Sequence, residues 1–176
     1  MKNYNILNRS FVLFGIILIF NFTSEAFGQD KIFLVAGAGF PELLNVGISI
    51  PYNQTKVGIT IGSVPLKDEN IIAISGNLFY HFGKFSLLSS WRFWFVKFGL
   101  NYVRDEDEYS IGKYFNLVSR VGRDFNFSEK FGIEVSVGLI ILLSHTYIEK
   151  NQTDVFSLDI APPISPSIGM VLFYRI

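Results

Sequence analysis

Ser144 and His145 stand side by side in the C-terminal third of a 176-residue chain, with Glu149 four positions further on. A hydroxyl, an imidazole and a carboxylate are the groups of a nucleophilic hydrolase, in which the imidazole takes the hydroxyl proton and the acid orients the ring. These letters specify a triad only if the fold converges them, and a solvated loop contains the same types. The run Asp105-Glu106-Asp107-Glu108 is a second candidate. Clustered carboxylates hold hard divalent cations. The run lacks the glycine and the ligand spacing of an EF-hand loop, and a hydrated loop tip accounts for it equally well. Cysteine is absent, which removes thiolate nucleophiles, disulfides and thiolate metal sites. Gly37-Ala38-Gly39 opens no helix, so no phosphate loop and no cofactor is expected.

The charge balance excludes one class of partner. Fifteen basic residues face 15 acidic ones, and no basic stripe offers the electrostatic footprint of a nucleic-acid binder. The composition demands a place to put apolar surface, since 49% of residues are hydrophobic and 19 are Phe. The first segment has three parts: a polar stretch with Lys2 and Arg9, an apolar run from Phe11 to Phe22, and a polar stretch ending Ala26-Phe27-Gly28. This is the pattern of a secretory signal peptide over residues 1–28. The apolar run is short of the roughly 20 residues that span a bilayer as a helix. Residues 29–176 then form one domain.

The elements that must position any site are strands. Beyond Lys31 the sequence shows no sustained 3.6-residue apolar period, but apolar and polar positions alternate with period two. Trp94, Val96, Phe98, Leu100 and Tyr102 share one face against Lys97, Gly99 and Asn101. The same alternation runs through Lys56–Gly62, Ile71–Phe82, Tyr114–Phe125, Phe131–Leu143 and the closing stretch from Ser167. Two less regular segments, Lys31–Gly39 and Leu43–Ile50, bring the number of strands to eight. The polar face is built from Gly, Ser, Asn and Thr with isolated charges, which suits a narrow lumen. The apolar face is rich in aromatics, which suits a lipid-facing wall.

Connections alternate in length. Short turns are expected at Pro51–Gln54 and at Asn126–Ser128, and longer, charged connections at Val64–Asn70, Arg104–Ile111 and Ser144–Pro166. Phe40–Glu42 is a short exception among the long connections, and Gly83–Trp91 a long one among the short. A three-residue turn at Asn126–Ser128 would set Arg120 opposite Glu134 and Asp124 opposite Lys130. These are expected lumen ion pairs, serving either as a polar relay or as charges that pair because burial alone is costly.

These segments resemble a family, the small eight-stranded outer membrane β-barrel proteins of Bacteroidota-type bacteria. The resemblance rests on the signal peptide, Tyr80-His81-Phe82-Gly83, Gly99-Leu100-Asn101-Tyr102, Gly122-Arg123-Asp124-Phe125 and the ending Phe173-Tyr174-Arg175-Ile176. It implies an antiparallel up-and-down transmembrane barrel in the bacterial outer membrane. Its partners would be membrane lipid, lipopolysaccharide and, during biogenesis, the barrel-insertion machinery, which reads a C-terminal strand ending in an aromatic where this chain has Ile176. A barrel of eight strands is too narrow for an open diffusion pore. The expected role is therefore structural or surface interaction, with a lipid-modifying enzyme or a carrier of a small apolar ligand as alternatives. In the last case Ile140 and Leu142 would make the outer part of the lumen less polar.

Overall fold

The computed structural model describes residues 32–65, 70–86, 88, 91–150 and 162–176, so the expected signal peptide lies outside the described residues. Eight antiparallel strands follow one another: β1 Phe33–Phe40, β2 Leu43–Tyr52, β3 Thr55–Pro65, β4 Asn70–Phe85, β5 Arg92–Glu106, β6 Ser110–Asn126, β7 Phe131–Glu149 and β8 Ile164–Arg175. Each strand pairs with the next, and β8 pairs back onto β1, closing the barrel. No helix occurs among the described residues. Closure leaves no unpaired edge, which is how an all-β chain satisfies its backbone without a covering layer.

The strand alternation sets the two faces as the sequence predicts, and the faces are inverted relative to a water-soluble barrel. Ile59, Ile168 and Val137 point outward at 58–61% exposure. Lys56, Asn101 and Arg120 point inward at 1–3%. Tyr52, Tyr80, Trp94 and Tyr174 lie outward near the end that carries the start of β1 and the close of β8, here called the near end. At the opposite, far end the outward face carries Phe40, Tyr102 and Phe115.

Strands β4 to β7 are much longer than β1 to β3. Strand β5 continues through Arg104 and Glu106, and β7 through Ser144 and Glu149, where loops are expected. The β5–β6 connection shrinks to Asp107–Tyr109. Alternation is invisible in these extensions because both faces become polar at the rim, while backbone pairing with the neighbouring strand continues. A register irregularity at Phe115/Asn116 sets Ser144 opposite Phe115 and Leu142 opposite Asn116, so β7 carries one extra residue there. The bulge reverses which parity of β7 faces inward beyond Leu143.

Aromatic rings inside the near end lie over glycines of the neighbouring strand. A Cβ on Gly122 would collide with the Phe95 ring and sit 2.6 Å from the Val135 carbonyl oxygen. Only a residue without a side chain leaves Phe95 room to lie flat across β6. Gly122→Val should therefore destabilise the barrel by about 1–3 kcal/mol through overpacking, read as a lower urea midpoint with an unchanged m-value.

Candidate functional site

Among the described residues, buried charge is concentrated in the lumen. Lys56 on β3 and Glu134 on β7 form an ion pair across the barrel, both almost fully buried. The Lys56 ammonium also lies 4.3 Å from the Phe79 ring centroid, where the ring face stabilises a cation that has lost its water. On β4, His81 Nε2 is 3.1 Å from Asp124 Oδ2 of β6, and the ring sits 4.8 Å from Trp91.

At the centre stands Glu42, which belongs to no strand. The β1–β2 turn contains the cis Phe40–Pro41 peptide and a left-handed Leu43 (φ 63°). It folds inward, so that Glu42 is 3% exposed. One carboxylate oxygen accepts from Lys97 Nζ at 2.7 Å and the other from the Arg120 guanidinium. Arg120 donates further to Ser167 Oγ and to the Phe40 carbonyl oxygen, both at 2.6 Å. Ser167 Oγ donates to that same carbonyl at 2.9 Å. The turn is thus held from β5, β6 and β8 together. Above it, Asn101 donates to Ser75 at 2.7 Å, a neutral polar layer.

The space left among these groups is about 20 Å³, room for a single water molecule. The near end is closed by rings: Trp91 packs edge-on to Phe33 at 5.9 Å, and Arg175 lies 4.6 Å from the Phe173 ring centroid. Among the described residues the middle of the lumen is a packed polar core.

The register corrects both expected ion pairs. Strand β6 sets Arg120 opposite Gly138 and Asp124 opposite Glu134, because Asn126 pairs with Gly132 and the turn between is longer than three residues. Ser128 Oγ accepts the amides of Lys130 and Phe131 and stabilises that longer turn. The slip is four residues along the partner strand, an even number, so Arg120, Asp124 and Glu134 keep their inward facing and lose their expected partners. Lys130 leaves the lumen and lies exposed on the turn. The inward-facing Lys56, Lys97 and His81, and the turn residue Glu42, complete the network instead. The signal for Glu42 is a charge deficit: inward parity supplies Lys56, Lys97, Arg120 and Arg175 but only Asp124 and Glu134 among the buried strand acids.

The hydrolase candidates separate. Ser144 and His145 are neighbours within β7, so they project to opposite faces. Past the bulge Ser144 stands beside outward Phe115, while the His145 ring stacks on Tyr114 at 4.7 Å. Glu149 pairs with Ser110, about 13 Å along the strand from His145.

The acidic run also disperses. Asp105 faces inward at the far end. Glu106 accepts from Arg104 and Lys150, each at 2.7 Å. Asp107 Oδ1 accepts the amides of Tyr109 at 2.8 Å and Ser110 at 2.6 Å, and Glu108 is exposed at the turn. No group of three His, Cys, Asp or Glu among the described residues is arranged to hold a metal ion.

Comparison with protein-family models, with curated proteins and with solved structures gives no match to this chain.

Removing Glu42 strands two buried cations, so Glu42→Ala should cost about 3–5 kcal/mol in unfolding free energy. Glu42→Gln, which keeps the turn's shape and an acceptor oxygen, should cost less; urea titration separates the two. At the β5–β6 turn the amides of Tyr109 and Ser110 hold the Asp107 carboxyl below its usual range. A lowered folded-state value stabilises the turn above the ordinary carboxylate range, and that support is lost as pH falls. Amide exchange at Tyr109 and Ser110, corrected for its intrinsic pH dependence, should show more protection at pH 7 than at pH 3.

Proposed function

We propose that this chain is an exported integral protein of the bacterial outer membrane: a sealed, non-conducting barrel that acts through its far-end surface. The observation that carries the reading is the inversion of the two faces. A chain that buries Lys56, Lys97 and Arg120 while presenting Ile59, Val137 and Ile168 outward has its apolar solvent outside. In water those outward side chains would remain unburied, forfeiting about 25 cal/mol for every Å² of apolar surface left wet. Aromatic residues towards both edges of the outward band match the girdles of membrane-spanning barrels. Within such a membrane the near-end turns face the periplasm and the taller β5–β7 wall faces out, where lipopolysaccharide and external molecules meet it.

The filled lumen favours a scaffold or surface role over transport. It leaves the far-end rim as the accessible part of the protein, where binding residues on such folds concentrate. The closing strand sets Ile168, Met170, Leu172 and Tyr174 outward, the alternation that a lipid-facing strand carries.

Expression of the full chain tests this reading. The mature protein should fractionate with outer membranes, migrate differently on gels when unheated, and give no conductance steps in planar bilayers. Ile59→Lys separates the alternatives. On a lipid-facing wall it should cost about 2–4 kcal/mol and reduce membrane insertion, whereas at a water-exposed site it should be neutral. A soluble, heat-insensitive product overturns the membrane reading, and steady conductance overturns the seal.

A further inference from the structure

Above the Glu42 turn the lumen opens into a second cavity of about 270 Å³. Its floor is Pro41 and Leu43 of the inward-folded turn, and its wall includes Ile71, Val103, Ile140 and Leu142, all on inward parity. It differs in kind from the layer beneath, where Glu42, Lys97, Arg120 and Glu134 meet and the space closes to the size of one water. Water held against an apolar wall makes few hydrogen bonds and is readily displaced by an apolar group.

One charge enters this wall. Asp105 lines the cavity from β5, three residues beyond Tyr102 and past the outward apolar band. It makes no hydrogen bond or ion pair with any described residue, and Arg104 and Lys150 are both engaged by Glu106. The other polar lining groups are Tyr114, on which His145 stacks, Asn116 and Ser165. Asn116 spends its amide nitrogen on Asn101, 3.4 Å away, leaving its amide oxygen as an acceptor. The cavity therefore carries one negative charge and three neutral polar groups on an otherwise apolar wall.

We infer that the far-end vestibule binds a small amphipathic cation, with its apolar body against Ile71, Val103, Ile140 and Leu142 and its ammonium group at the Asp105 carboxylate. Scaling from a 150 Å³ apolar cavity that accepts benzene, the space admits about ten non-hydrogen atoms. The Asp105 carboxylate is partly buried and stands near the like charge of Asp107, so a bound cation is favoured there and a bound anion disfavoured. The vestibule belongs to the barrel itself, so the inference goes beyond the membrane reading, and only its test in lipid rests on that reading.

The probes are n-octylamine and n-octanoate, matched in length and opposite in charge. The full-length mature protein in lipid nanodiscs is titrated with each at pH 8, and the methyl resonances of Ile71, Val103, Ile140 and Leu142 are followed. Octylamine should shift these methyls saturably and bind about tenfold more tightly than octanoate, the scale of a partly solvated ion pair set against the repulsion of the acid. Asp105→Asn should erase most of that preference, and Ile140→Trp, which fills the cavity, should abolish the shifts. Gel mobility of the same unheated samples shows that each variant is a folded barrel. A folded barrel whose vestibule methyls do not respond, or that binds amine and acid equally before and after Asp105→Asn, overturns the proposal without touching the membrane assignment.

Discussion

Glu42 holds two cations at once, Lys97 of β5 and the Arg120 guanidinium of β6, and the middle of the lumen is built around that pairing. A closed barrel of eight strands has room inside for side chains but not for bulk water, so each charge placed there must find its partner among the walls. Inward parity alone leaves the walls short of acid. The β1–β2 turn supplies it by folding into the lumen, and Arg120 then reaches Ser167 and the Phe40 carbonyl of that turn. The ion pair and the shape of the turn reinforce each other, since Arg120 binds both the Glu42 carboxylate and the Phe40 carbonyl.

From that central tie the barrel divides into layers. Towards the near end the polar groups give way to rings, with Trp91 tucked against Phe33 and His81 and Lys56 lying over Phe79. Towards the far end come the Ser75–Asn101 layer and then the apolar vestibule. Outside, one apolar band runs around the whole barrel. The lumen carries specificity through directional contacts, while the outer wall needs only to be apolar.

The sequence was most informative where one face is polar and the other apolar. Trp94–Tyr102 and Phe131–Leu143 could be assigned to faces residue by residue, because a period of two has only two phases and the aromatic positions fix which one applies. It was least informative at the rim, where Arg104, Asp105 and Glu106 or Thr146 and Tyr147 follow one another and alternation no longer separates the faces. That is why β5 and β7 extend beyond their expected ends and why Ser144 and His145 belong to a strand. Register was beyond reach for a different reason. Pairing Arg120 with Glu134 required the length of one turn, and a change of four residues preserves every facing while exchanging every partner. Glu42 is the extreme case: nothing in its local sequence marks a turn residue that points into the barrel, and only the charge balance of the whole interior calls for an acid.

The inward-folded turn also bears on how such a chain can change over generations. The β5–β6 turn carries Glu108 and Tyr109 exposed at the far end, and added residues there would disturb the Asp107 cap of that turn but none of the charges buried in the lumen. The segment from Phe40 to Leu43 has no such latitude, since lengthening it would withdraw the carboxylate from the cations it serves. Two connections at the same end of one barrel are thus held to different evolutionary standards, and the short sector beside β1 and β2 becomes a fixed landmark against which the taller wall is free to diversify.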